Sequence, residues 1–345
     1  MLLRRLSWLP LLALFSWSLA AAAPVDTPHL TWVAPYGRSA RWLRSPAAGA
    51  RSAQGASELP RRANLRGEVM ILVYHNFGPE ARWSRSLANF DSDLSRLESA
   101  GYRPVTLRQY VTADFQLPAG TTPVVLTFDD GSRNQMKFAA DGQLDPDCAV
   151  AHWVAFAKAH PDFPVHGTFF VNPGTDVFGQ RAFIKSKLEM LVKLGSEIGN
   201  HTYDHPHLNA LPPAEIEREI GLGQYDIDRF LPGYDVTSFA LPFGQAPHDD
   251  ALAVASSWTG APGHNAAPVT VRWHYGAVVL VGSGPAPSPL VEGLKTAHLP
   301  RIQVFTPEFD KWMTYFERNS ARRFISDGEH HAPLSLPARA LASRP

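Results

Sequence analysis

The stretch Val124-Val125-Leu126-Thr127-Phe128-Asp129-Asp130-Gly131 joins a run of apolar and β-branched residues to two carboxylates and a glycine. Such a run is typical of a strand buried inside a parallel sheet, and the strand is predicted to end at Phe128. In parallel α/β folds the carboxyl ends of the strands face the functional crevice. Gly131 allows a sharp turn that could bring both carboxylates to one site, although Asp-Asp-Gly is also a common turn sequence.

Other short apolar runs of the same kind lie on both sides of this stretch, at residues 69–74, 168–171, 238–241 and 277–281. Helical patterns of apolar residues separate the runs. Two of these patterns stop at Gly101 and before Gly195, and a third opens at Pro213 and ends near Gly233. The alternation predicts an α/β fold with parallel strands, and a barrel is compatible with it.

A second polar constellation, His201-Thr202-Tyr203-Asp204-His205, follows the short segment 197–200. Two imidazoles four residues apart lie on one face of a helical turn, so they can share a metal ion. An ordinary polar loop is the alternative. The spacing of His207 makes this residue face elsewhere on such a turn.

Taken together, the two constellations indicate a metal-dependent hydrolase. Two histidines and one carboxylate, with a fourth position open to water, make the ligand set of a catalytic zinc site. The second carboxylate of the Asp-Asp pair can then act as a general base.

The N-terminus is predicted to be a secretory signal peptide, residues 1–23, with Arg4 and Arg5 followed by an apolar run and by small residues. An uncleaved membrane anchor is the alternative, but the run is shorter than the roughly 20 residues that a span needs. We therefore expect a secreted protein, periplasmic or extracellular, with no stable membrane insertion after cleavage.

Composition sets further limits on the 345-residue chain. Its 32 basic and 32 acidic residues give a formal net charge of zero, so nucleic acid is not an expected partner. Cys148 is the single cysteine, which excludes an intramolecular disulfide.

Residues 24–66, rich in Ala, Pro, Arg and Ser, are predicted to be a linker or an N-terminal arm. Residues 67–323 are then the folded domain, and residues 324–345 a flexible C-terminal tail.

The sequence resembles the polysaccharide deacetylase family, which is carbohydrate esterase family four and is also called the NodB-homology family. Weaker similarity to the branch with a Tyr-His opening strand extends the resemblance over roughly residues 68–305. The segments that carry it are Thr127-Phe128-Asp129-Asp130-Gly131, His166-Gly167-Thr168-Phe169-Phe170-Val171, Glu197-Ile198-Gly199-Asn200-His201-Thr202-Tyr203-Asp204-His205, residues 69–75 and Leu299-Pro300-Arg301-Ile302.

The resemblance implies a distorted (β/α) barrel of about seven parallel strands with a metal at its C-terminal rim. It implies an enzyme that removes N-acetyl groups from a polysaccharide of N-acetylated sugars. Asp129 resembles the catalytic base, which acts on a zinc-bound water that serves as the nucleophile. The residues that resemble ligands of zinc, or of another divalent transition metal, are Asp130, His201 and His205. The backbone N–H of Phe243 corresponds to an oxyanion donor.

Two features depart from the family pattern. Ala240 occupies the position where the family has an arginine that contacts the base, so the sequence does not show how Asp129 is oriented. No clean copy of the motif that supplies the general acid follows residues 277–281. His298 and His75 are the candidates for this acid, although each is more commonly a surface or packing histidine.

Two other functions stay open from the sequence. One is a deacetylase of O-acetyl esters, or another C–N hydrolase, on the same scaffold. The other is a non-catalytic cell-wall binding protein, although a binder has no need of a spare carboxylate beside a metal. The aromatic residues Trp258, Trp273 and Tyr275 are candidates for stacking on sugar rings or, more commonly, for core packing.

Overall fold

A computed structural model describes residues 61–331. The predicted signal peptide, most of the predicted arm and residues 332–345 lie outside the described part of the chain. The strands are β1 (Met70–Tyr74), β2 (Asn76–Phe77), β3 (Ser84–Arg85), β4 (Tyr102–Pro104), β5 (Thr122–Phe128), β6 (Gly167–Val171), β7 (Glu197–Asn200), β8 (Ser238–Ala240), β9 (Ala255–Gly260), β10 (Val269–His274), β11 (Ala277–Val279) and β12 (Ile302–Gln303). The α-helices are α1 (Leu87–Ser99), α2 (Leu107–Thr112), α3 (Ala149–Ala159), α4 (Ile184–Lys193), α5 (Pro213–Phe230), α6 (Ala251–Val254) and α7 (Thr306–Arg318).

One parallel sheet organises the described chain. Seven strands follow one another in the order β11-β8-β7-β6-β5-β1-β12, and β4 pairs with the first residues of β5. Leu299, just before β12, also forms a parallel bridge with Val279 of β11. The segment 299–303 therefore pairs with both ends of the strand series. The result is a distorted (β/α) barrel, which confirms the predicted fold class.

The strands that the apolar runs predict lie in the core, together with the buried faces of the helices. Every residue of β1 and of β5 is buried, as expected for strands covered on both faces. Phe128 at the end of β5 stacks on Phe169 of β6, with ring centroids 4.5 Å apart and an interplanar angle of 8°. Burying each such ring stabilises the fold by about 1.5 to 3 kcal/mol.

The predicted helices begin and end at residues that favour helix termini. Helix α1 starts after Ser86, whose side chain accepts a hydrogen bond from the backbone N–H of Asn89 at 3.1 Å. The chain leaves α1 through Gly101, which has a φ of 79°. Helix α5 has Pro213 at its first position. Among residues 61–331, no helix combines the length and the apolar character that crossing a membrane requires.

Packing extends beyond the predicted domain limits of 67 and 323. Asn64 and Ile325 exchange two backbone hydrogen bonds of 2.9 Å, and the side chains of Phe324 and Ile325 are buried. Apolar contacts and strand pairing place residues 324–326, the first residues of the predicted tail, against the barrel.

Candidate metal centre

The two neighbouring aspartates occupy the turn that ends β5. Asp130 and Gly131 both have left-handed backbone conformations, with φ of 70° and 57°. A Cβ on Gly131 would lie 3.1 Å from the side chain of Val177, so both space and conformation favour glycine here. The turn leaves Asp129 buried and Asp130 about one-third exposed, on the same side of the strand end.

The two histidines lie on an irregular loop after β7. Thr202 and His205 have φ values of 68° and 59°, so the predicted helical turn is wrong. Side chains of the loop and of β7 hold this conformation: Asn200 Oδ1 accepts from the N–H of Thr202 at 2.9 Å, and Thr202 Oγ1 accepts from the N–H of His205 at 3.0 Å. The loop still brings the rings of His201 and His205 to a centroid distance of 4.7 Å.

Asp130, His201 and His205 form a compact set of donor atoms. Asp130 Oδ1 lies 3.4 Å from His201 Nε2 and 3.5 Å from His205 Nε2. The three donor atoms are within 4.8 Å of one another, and within residues 61–331 this is the only group of three that meets this distance. One carboxylate and two imidazoles at this separation fit a transition-metal site with room for a further ligand.

The carbonyl oxygen of Ala240 fixes the orientation of His201. It lies 2.7 Å from His201 Nδ1, so this nitrogen carries the hydrogen and donates it. Nε2 then faces Asp130 Oδ1 at 3.4 Å and would offer its lone pair to an ion that displaced its proton. A backbone carbonyl behind a ligand histidine is a common supporting contact at metal sites.

The charge states of Asp130 and His205 suit a cation, whereas His201 would have to give up a proton to bind one. Burial lowers the pKa of His201, but the hydrogen bond to Asp130 and the charges of Asp129 and Asp130 outweigh it and raise this pKa. Burial raises the pKa of Asp130, but the hydrogen bond and charge of His201 outweigh it and lower this pKa well below its usual range. Burial and the nearby charge of His201 lower the pKa of His205 to about 4. At neutral pH the carboxylate is therefore ionised and the His205 imidazole is neutral, which are the forms that bind a metal.

Arg301 supplies the guanidinium that the sequence lacks at Ala240. Its two terminal nitrogens donate to the two carboxylate oxygens of Asp129 at 2.7 and 2.6 Å. Nη1 also donates to Thr127 Oγ1 at 3.0 Å, and Nε donates to the carbonyl of Leu280. Burial raises the pKa of Asp129, but the charge of Arg301 outweighs it and holds this pKa below its usual range. In the sequence, Arg301 belongs to the segment Leu299-Pro300-Arg301-Ile302, which carries part of the family resemblance. The spacing of residues alone did not indicate that this arginine contacts Asp129.

The two candidate general acids, His75 and His298, lie at different distances from the aspartate turn. His75, at the end of β1, has its Nε2 3.9 Å from Asp129 Oδ2, and burial lowers its pKa although the charge of Asp129 opposes this. His298 Nε2 instead lies 3.6 Å from Asp250 Oδ2, outside the group formed by the two aspartates and the two loop histidines. Only His75 of this pair borders the aspartate turn.

Phe243 lies at the edge of the site, with its ring 4.5 Å from that of His205 and a φ of 57°. It is in the first turn of a 3₁₀-helix, Pro242–Gly244, where backbone N–H groups have no acceptor inside the helix. His207 also stacks on the Phe243 ring, with ring centroids 3.8 Å apart, and its side chain bonds to Gln245, outside the group formed by Asp130, His201 and His205.

The aromatic residues considered for sugar stacking belong mainly to the core. Trp273 and Tyr275 are buried. Tyr275 accepts a hydrogen bond from Asn200 Nδ2 at 2.8 Å, so it supports the histidine loop from behind. Trp258 is half-buried on β9 and packs closely against Gly221 of α5.

Comparison with known proteins agrees with this architecture. Residues 117–260 match the model of the polysaccharide deacetylase family. The structure is similar to the deacetylase PplD of Streptococcus pyogenes in complex with acetate, with 19% identity and a TM-score of 0.51 over 72% of this chain and 98% of that chain. It is also similar to BC0361, a polysaccharide deacetylase of Bacillus cereus, with 17% identity and a TM-score of 0.51 over 72% of this chain and 69% of that chain. A comparison with curated protein sequences finds no match. The family resemblance inferred from the motifs is confirmed.

Proposed function

Because residues 117–260 match the polysaccharide deacetylase family, we propose that this chain is a secreted, metal-dependent hydrolase that removes N-acetyl groups from a glycan of N-acetylated sugars. The family match supports hydrolysis of acetyl groups on a polysaccharide. The donor set at the carboxyl ends of β5 and β7 supports metal dependence. The apolar run near the N-terminus, outside the described residues, supports secretion.

Asp130, His201 and His205 would hold the cation, zinc or another divalent transition metal. Such an ion, when bound, would lower the pKa of a water and polarise the carbonyl of the acetamide.

The reaction itself needs proton transfers that residues of this chain can perform. Asp129 accepts a proton from the attacking water, and Arg301 keeps this carboxylate ionised and oriented. The backbone N–H of Phe243 donates to the oxygen that becomes negative in the tetrahedral intermediate. His75, whose Nε2 lies 3.9 Å from Asp129 Oδ2, takes up the water's proton from Asp129 and delivers it to the departing nitrogen. The C–N bond then breaks to give acetate and a free amino sugar.

One observation carries this proposal: Asp129 is a buried carboxylate beside the donor set but not part of it. Its Oδ2 is 3.9 Å from His201 Nε2, and both of its oxygens bond to Arg301. A protein that only bound glycans through a metal would gain nothing from an ionised carboxylate held there.

The test compares Asp129→Asn with Asp130→Asn after loading with Zn²⁺. We expect Asp129→Asn to keep its metal and to lose about 10² to 10⁴ in turnover, since only the base is removed. Asp130→Asn should lose metal as well as activity. Metal content is measured by elemental analysis, and acetate release is measured on chitin oligomers, poly-N-acetylglucosamine, peptidoglycan fragments and acetylated xylan.

Near-normal turnover of Asp129→Asn would show that this residue is not the base. Acetate release from acetylated xylan alone would show an O-acetyl esterase. Wild-type activity that survives complete removal of metal by EDTA would contradict metal dependence.

A further inference from the structure

Two exposed aromatic rings flank the candidate metal centre. Trp83 and Phe243, with exposed fractions of 42% and 47%, are the two large apolar side chains that are exposed among residues 61–331. The Trp83 ring lies 4.9 Å from that of His75, which borders Asp129. Phe243 lies against His205, which borders Asp130. Single exposed aromatics are ordinary on protein surfaces, but both of these contact histidines of one site.

The backbone around Trp83 is held in place from several directions. The carbonyl of Trp83 accepts from the N–H of Asn76 at 3.1 Å, and Gln303 Nε2 donates to the carbonyl of Arg82 at 3.1 Å. Ala81 and Ser84 exchange backbone hydrogen bonds across the turn. The loop that presents Trp83 is therefore fixed before any ligand arrives.

A buried ion pair anchors the end of this loop. Arg85 donates to both carboxylate oxygens of Asp93 in α1, at 2.9 and 2.5 Å, and both side chains are buried. Arg85 also donates to Glu80 at 2.6 Å, and Glu80 in turn accepts from the N–H of Ser86 at 3.0 Å. An aromatic ring on such a support loses little conformational freedom on binding, which favours affinity.

We propose that Trp83 binds a sugar ring of the glycan next to the ring that is deacetylated. The C–H face of a pyranose is apolar and loses water when it packs on an indole ring. The guanidinium carbon of Arg82 lies 5.4 Å from the centre of the Trp83 ring, within the range of a cation–π contact that orients the indole. The site therefore takes a chain of sugars, and a monosaccharide occupies only part of it. This inference rests on the proposed function.

The experiment measures steady-state kinetics of Zn²⁺-loaded wild type and Trp83→Ala on N-acetylglucosamine oligomers of one to five units. Wild type should favour the longer oligomers. Trp83→Ala should raise KM for the pentamer about tenfold with little change in kcat, and should lose the preference for length. Trp83→Phe should recover most of the pentamer KM, because it keeps an aromatic face.

Trp312 offers a matched control, because it is a partly exposed tryptophan on α7 with Lys311 Nζ 4.7 Å from its ring centre. Trp312→Ala should leave the KM for every oligomer unchanged. The Zn²⁺ content of each variant after loading, measured by elemental analysis, reports whether the metal centre is intact.

Binding of the pentamer to the Zn²⁺-loaded Asp129→Asn background, measured by calorimetry, separates this inference from the reaction. If the pentamer binds there and Trp83→Ala weakens it about tenfold, the inference is supported even if no acetate is released and the proposed reaction fails. An unchanged KM and Kd in Trp83→Ala would overturn the inference and leave the deacetylase proposal standing. A wild-type protein that neither binds nor hydrolyses the pentamer would overturn both.

Discussion

Replacing Arg301 by methionine is expected to destabilise the fold by about 3 to 5 kcal/mol, because it leaves the buried carboxylate of Asp129 without its partner. The wild-type pair has two hydrogen bonds of 2.7 and 2.6 Å between groups that have almost no contact with water. At about 2 to 4 °C per kcal/mol for a domain of this size, the melting temperature should fall by about 6 to 20 °C.

The assay is urea denaturation followed by circular dichroism, in EDTA so that bound metal adds nothing to stability. The double variant Arg301→Met with Asp129→Asn should recover much of the loss, because it buries no unpaired charge. Lys185→Met is the control. Lys185 pairs with Glu189 at 3.8 Å, both side chains are more than half exposed, and the change should be at most about 1 kcal/mol. A loss below about 1 kcal/mol for Arg301→Met, or a double variant as unstable as the sum of its parts, would refute the reasoning.

Two further substitutions test the proton donor and the histidine loop. His75→Ala should lower kcat for acetate release by about 10² to 10⁴ with little change in KM, whereas His298→Ala should stay within about twofold of wild type; the opposite pattern would move the acid to His298. Gly223→Ala places a Cβ 2.5 Å from Asn200 Oδ1 and 3.0 Å from the carbonyl carbon of Thr202. The substitution should therefore lower the free energy of unfolding, measured by urea denaturation, by about 1 to 3 kcal/mol. Helix propensity alone would predict a gain in stability. An observed gain would show that the histidine loop shifts readily to accept the added carbon.

The sequence allowed the barrel strands to be predicted because their residues are apolar on both faces, as in residues 124–128. Strand β9 was missed. Its exposed residues Ala255, Ser257 and Thr259 alternate with the half-buried Ser256, Trp258 and Gly260 in a hairpin that packs beside α5, so its apolar signal is weak. Helix α3 was missed as well, since Ala149–Ala159 is apolar around most of its circumference and shows little amphipathic contrast.

At the site, residue types and spacing led to Asp130, His201 and His205, but not to the backbone that unites them. A spacing of four residues fits a helical turn and a loop equally well, and here hydrogen bonds from Asn200 and within the loop select the loop. The partner of Asp129 was harder to predict, because Arg301 is 172 residues away along the chain. Only closure of the barrel brings the two side chains together.

The segment 299–303 both joins the two ends of the strand series and carries the guanidinium that faces Asp129. Ribosomes release this segment after every other strand, since translation runs from the N-terminus. A nascent or proteolysed chain that stops before residue 299 lacks both the strand that joins the two ends of the series and the guanidinium that faces Asp129. The candidate site is therefore complete only after this strand has been made.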